Sequence, residues 1–125
     1  MLNLIMIAGL WGTLCTQTQI NGQSGFVKET YDISSKGAFV YSRTWYSEKT
    51  CSAKTSVDTE NGTLRIGGSL NSMFNPSAVA VDFESNGAVD LGGMGLEVNI
   101  VKVARGQKGQ SMRNTMLAII GYKKL

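Results

Sequence analysis

The stretch that decides the fold is Phe26–Ser47, FVKETYDISSKGAFVYSRTWYS. Its middle, Ser35-Lys36-Gly37, is a three-residue loop with glycine where a left-handed residue is wanted. Pairing Ser34 with Ala38 sets the register by counting outward. Ile33 then faces Phe39, Tyr31 faces Tyr41, Glu29 faces Arg43 and Val27 faces Trp45. All four pairs fall on one face of the hairpin, three apolar or aromatic and one ionic. The other face carries Lys28, Thr30, Asp32, Ser42 and Thr44, which suit water. A slip by one residue would turn Tyr31, Ile33, Phe39, Tyr41 and Trp45 outward, so the register is tightly held.

The rest of the chain reads as β as well. Strand-like runs lie at 10–18, 38–47, 63–70, 78–84, 96–104 and 115–123, beside 26–34 of the hairpin. Segments 55–60 and 88–91 offer short extra pieces. Asn21-Gly22, Asn61-Gly62, Asn86-Gly87 and Gly92-Gly93 read as turns between them. Short strands at this spacing predict an all-β sandwich or barrel. Residues 10–125 form the expected single domain. Residues 1–9 are a short apolar lead: a signal remnant, a mis-chosen start or an extension of the first strand.

Composition narrows the function. The 125 residues are 42% hydrophobic and 17% charged, against roughly 25% charged in an average soluble domain. With no His, Ser-His-Asp and Cys-His triads are excluded. A zinc site would need carboxylates and two Cys, so no metal and no cofactor is expected. No apolar run approaches the ~20 residues of a membrane-crossing helix. Charge is uneven. All nine acids precede residue 98, whereas Lys102, Arg105, Lys108, Arg113, Lys123 and Lys124 follow it. This basic final third is either a solvated face or a surface for an acidic protein or other anionic partner. No aromatic residue is interleaved with the first four of these charges, so nucleic acid is not expected.

Cys15 and Cys51 match neither a redox CxxC nor half a zinc site. In an oxidising compartment they would join as one disulfide; in the cytosol they would be two buried thiols. The disulfide is the expectation, and with it a periplasmic or secreted protein.

The segment Gly9-Leu10-Trp11-Gly12-Thr13 resembles the Gly-x-Trp opening strand of the calycin group, which includes lipocalins, fatty-acid-binding proteins and avidins. The Phe26–Ser34 strand, Trp45-Tyr46-Ser47, Cys51, Thr63–Gly67 and Ala78–Phe83 are similar in pattern to small exported bacterial lipocalin-like proteins. That resemblance implies a small antiparallel up-and-down β-barrel of about seven or eight strands. It implies that Trp11 plugs the closed end, with an Arg packed across it, Arg43 or Arg105 here. It also fits a Cys15–Cys51 disulfide.

Other motifs carry less. Gly92-Gly93-Met94-Gly95 lacks the context of a dinucleotide fingerprint, and Gly106-Gln107-Lys108-Gly109 lacks the helices of an RNA-clamping loop. Asp58/Glu60 and Asp82/Glu84 each share a strand face and read as solvated outer positions. Met73, Met94, Met112 and Met116 suit barrel-mouth packing or a soft cavity. The resulting expectation is a non-enzymatic, exported barrel holding a small apolar or amphipathic ligand. Its lining would be Val27, Tyr31, Phe39, Tyr41 and Trp45, with Glu29 and Arg43 as the polar contact and Trp11 and Gly37 structural. The alternative is a solid barrel that contacts a protein through loops such as 71–77 or 105–114. For Glu29–Arg43, a structural pair at the rim competes with the ligand role, because desolvation offsets much of the Coulomb gain.

Overall fold

Alternating apolar side chains and paired turns produce nine strands in the computed structural model, which describes residues 4–69, 79–94, 99–107 and 120–125. One helical turn, α1 (Leu4–Ile7), precedes β1 (Gly9–Gly12), β2 (Thr16–Ile20), β3 (Gln23–Ile33), β4 (Ala38–Tyr46) and β5 (Lys54–Ser69). Then follow β6 (Val79–Ser85), β7 (Ala88–Met94), β8 (Asn99–Gln107) and β9 (Ile120–Lys124). Every pairing is antiparallel, and β3 to β9 pair in chain order. β1 pairs with both β3 and β9, so the pairing returns on itself around eight strands. The β9–β1 seam is narrow, with Trp11↔Lys124 and Gly12↔Lys123 as its partners. At the other end the sheet is open. There β2 pairs with the first half of β3, and the first half of β5 pairs with β4.

The hairpin register is as the sequence predicts: Val27↔Trp45, Glu29↔Arg43, Tyr31↔Tyr41 and Ile33↔Phe39. Gly37 sits at φ 87°, and the Ser34 amide donates to the Ala38 carbonyl at 2.8 Å. Asn21-Gly22 and Asn86-Gly87 also turn, with both residues of each pair at positive φ, as tight two-residue hairpins require.

Four sequence expectations change. Run 10–18 is two strands, interrupted at 13–15, because β1 and β2 pair with different halves of β3. Asn61-Gly62 is not a turn, since both lie inside β5 opposite Val40 and Phe39. The reason is close approach: a Cβ on Gly62 would lie 1.9 Å from the Glu84 carbonyl oxygen, where β5 passes from β4 to β6. Segments 55–60 and 63–70 therefore merge into one long strand. Gly92-Gly93 likewise lies within β7, beside a register shift after Leu91, and 88–91 belongs to that full strand. Residues 105–107 end β8 rather than opening a loop. Loop 71–77, residues 108–114, Met73, Met112 and Met116 lie outside the described residues.

Of the lead, Leu4–Ile7 form the helical turn and Gly9 opens β1. Ile7 is buried under the barrel, and Trp11 Nε1 donates to its carbonyl at 2.8 Å. Trp11 is fully buried, and Lys124 lies over its ring, with Nζ 5.9 Å from the centroid. Arg43 lies elsewhere, over the Tyr41 ring.

Candidate functional site

The inward face of the hairpin builds two different places. The deeper one is packed with aromatic rings. Tyr31 lies at its centre, with ring centroids 4.2 Å from Phe83, 5.0 Å from Tyr41 and Tyr122, and 5.7 Å from Phe39. Ile33, Leu64, Val79, Val81, Met94 and Ile100 complete this core. An eight-stranded barrel can be just wide enough for its own side chains to fill it, and among the described residues these rings pack closely on one another. Val27, Tyr31, Phe39 and Tyr41, four of the expected lining residues, are buried among neighbours.

A chain of polar contacts threads the same interior. Arg43 Nε donates to Glu29 Oε1 at 3.3 Å and to the Tyr41 hydroxyl at 3.2 Å. Tyr122 donates its hydroxyl to Glu29 Oε2. Farther in, Tyr31 donates to Asp90 Oδ2 at 2.9 Å. Burial, then the nearby carboxylates, push all three phenols well above their ordinary range: Asp90 acts on Tyr31, and Glu29 on Tyr41 and Tyr122. They stay protonated; Tyr31 and Tyr122 donate to carboxylates, and the Tyr41 hydroxyl accepts from Arg43. Glu29 is thus held by Arg43 and Tyr122, and the backbone of the same residue is pinned by Thr13, whose hydroxyl accepts its amide proton at 3.0 Å.

The second place is the open end. A cleft of about 470 Å³ lies between β3, β4 and β5, lined by Gln23, Ser24, Gly25, Trp45, Tyr46, Ser47, Thr55, Ser56 and Asp58. Trp45 is the only residue of the expected ligand set among these. A Cβ at Gly25 would come within 2.9 Å of the Trp45 ring, so the indole rests on the glycine backbone. Its Nε1 donates to Asp58 Oδ2 at 3.0 Å, which fixes the ring's orientation. Arg43, one pleat deeper on the same face, keeps a quarter of its side chain exposed.

Asp58 is exposed, as the sequence predicts, but on the other face. It lies opposite Arg43 on β5, and Glu60 lies opposite Tyr41. Both therefore share the inward parity of the hairpin rather than an outer face, and Glu60 accepts from the Ser85 hydroxyl at 3.2 Å. Continuing the hairpin register into 55–60 as a strand would have found this; reading Asn61-Gly62 as a turn hid it. Asp90 and Tyr122 come from strands with no local signal linking them to Tyr31 and Glu29.

Cys15 and Cys51 are joined, with Cα atoms 5.8 Å apart. The bond ties the β1–β2 break to the connection between β4 and β5. In that connection Glu48 accepts the Ser52 and Ala53 amides at 2.6 and 2.8 Å, and these bonds hold its carboxyl below the usual range. The disulfide is compatible with an extracellular or periplasmic setting. No described helix is long and apolar enough to cross a membrane. Compared with protein-family models, with curated proteins and with solved structures, the chain gives no match.

Proposed function

We propose that this is an exported, non-enzymatic binding protein of lipocalin-like type that takes a small amphipathic ligand at the open end of its barrel. The observation that carries this is Trp45: one indole face rests on Gly25, its N–H is fixed by Asp58, and the ring lines a cleft otherwise rich in hydroxyl and amide groups. Such an arrangement stacks a flat apolar surface and orients it with a few polar contacts. The hydroxyls of Ser24, Thr55 and Ser56 and the carboxylate of Asp58 would pair with the ligand's polar edge. Arg43, anchored by Glu29 from below, would meet an acidic substituent. The close packing of Tyr31, Phe39 and Tyr41 favours the mouth over the interior as the ligand's position.

Titration of the protein with small aromatic and aliphatic acids, followed by tryptophan emission, tests this. Trp11 is buried at the other end, so a shift on binding reports Trp45. A saturable shift that disappears in Trp45→Ala and weakens in Asp58→Asn is expected. Glu29→Gln separates the roles of the ion pair, since lost stability with unchanged uptake would assign that pair to structure alone. No saturable response to any candidate would favour the second reading, which the packed core supports: a solid barrel acting on an acidic protein partner.

A further inference from the structure

The chemistry of the open-end cleft narrows the class of ligand that suits it. Of its nine lining residues, Trp45 and Tyr46 are aromatic and none is Leu, Ile, Val or Met. A fatty chain would find no aliphatic wall there. Gln23, Ser24, Ser47, Thr55 and Ser56 supply hydroxyl and amide groups around the indole instead. Ser24 Oγ accepts from Gln19 Nε2 at 3.1 Å, which leaves its own proton to donate. Trp45 is held as a plate. Gly25 backs one face, and the 3.0 Å bond to Asp58 leaves from the indole edge at Nε1. Asp58 is exposed. A carboxylate has about four acceptor sites, of which the indole takes one.

We propose that the ligand is a saccharide, a pyranose sugar whose ring hydroxyls are equatorial. This rests on the reading of the open end as the ligand site and names the ligand class of that site. Such a ring presents C–H groups on its faces and hydroxyls around its rim. The negative face of the indole attracts the C–H groups. Asp58 accepts hydroxyl protons, and the lining hydroxyls and the Gln23 amide complete the rim. A cation is the other ligand that joins an aromatic face to a carboxylate. Here the carboxylate lies at the edge of the indole, bonded to its N–H, rather than across the face. The hydroxyl and amide lining would also gain nothing from a quaternary ammonium, which has no proton to share. Arg43, one pleat deeper, adds a contact only where the sugar carries a carboxylate. A cleft of about 470 Å³ is in the range that holds drug-sized molecules, so a disaccharide suits it better than a single ring.

Isothermal titration calorimetry of the intact, oxidised protein tests the proposal. The sugar probes are cellobiose, xylobiose and the β-1,4 disaccharide of N-acetylglucosamine; octanoate, benzoate and tetramethylammonium are the comparison. A saturable heat is expected with at least one disaccharide, with Kd on the order of a millimolar. Asp58→Asn keeps an acceptor for the indole but removes the charge, and should raise Kd by about tenfold. Trp45→Ala should abolish the heat. Near-UV circular dichroism checks folding. Should Trp45→Ala not fold, Trp45→Leu, which keeps apolar bulk without a ring face, replaces it. Sugar binding that survives loss of the Trp45 ring would overturn the proposal. So would a Trp45-dependent response to octanoate, benzoate or tetramethylammonium with none to the three sugars, an outcome that keeps the open end as a ligand site of another class. No response to any of the six compounds would overturn both readings.

Discussion

At the scale of single residues, Gly62 and Tyr122 carry the sharpest consequences. A methyl at Gly62 meets the Glu84 carbonyl, and backbone cannot swing aside as a side chain can. Gly62→Ala should cost about 3 kcal/mol, as overpacking in a tight site does. Gly68→Ala, with nothing within 4 Å of its Cβ, should stay within about 0.5 kcal/mol of the wild type. Urea unfolding of the two variants checks both. Tyr122→Phe keeps the ring but withdraws the hydroxyl from the buried Glu29 carboxylate. A loss of about 1–3 kcal/mol follows from leaving a buried acceptor short of its donor, read from the same unfolding curves. Neither effect is visible in the chain alone. Gly62 looks like half of an Asn-Gly turn, and Tyr122 lies 93 positions from its partner. Their roles exist only once the strands are laid side by side.

At the scale of elements, the hairpin of β3 and β4 was legible because its turn and its period-two pattern agree. Gly37 fixes the loop, and from there each apolar pair follows by counting. β5 was not, because two local cues disagreed with the long-range geometry. A barrel with staggered strands needs one strand to serve different neighbours along its length, and β5 does so by bringing a glycine into its own middle. Likewise the break at 13–15 reflects β3, whose two halves take β2 and β1 in turn. The disulfide stabilises this break against the β4–β5 connection. Reducing it should lower stability by roughly 2–4 kcal/mol, measured by urea unfolding with and without a reductant. The packed core of Tyr31, Phe39 and Phe83 should keep the strands paired in the reduced protein. The cleft was only half legible: Trp45 follows from the hairpin register, whereas Asp58 required the register of β5.

For the whole molecule, the buried phenols set the pH range of the fold. In the unfolded chain tyrosines ionise near pH 10. In the barrel, burial and the carboxylates beside them hold Tyr31, Tyr41 and Tyr122 protonated well beyond that. The stability this provides is fully present below about pH 10 and is lost as pH rises further, because only the unfolded state releases the protons. Each phenol contributes about 1 kcal/mol per pH unit in that range. Unfolding free energies measured from neutral pH to beyond pH 11 should therefore fall steeply above the phenol range. Tyr122→Phe should fall less steeply by one phenol's share. The same packed rings that give this alkaline limit support the proposal of a ligand at the open end. The most direct test of that central claim is native mass spectrometry of the protein from an oxidising host, beside Trp45→Ala, with denaturing spectra of both. The account predicts a small-molecule adduct on the wild type that is lost on denaturation and absent from Trp45→Ala. A bare wild-type mass after incubation with amphipathic candidates, or an adduct that Trp45→Ala retains, would contradict it.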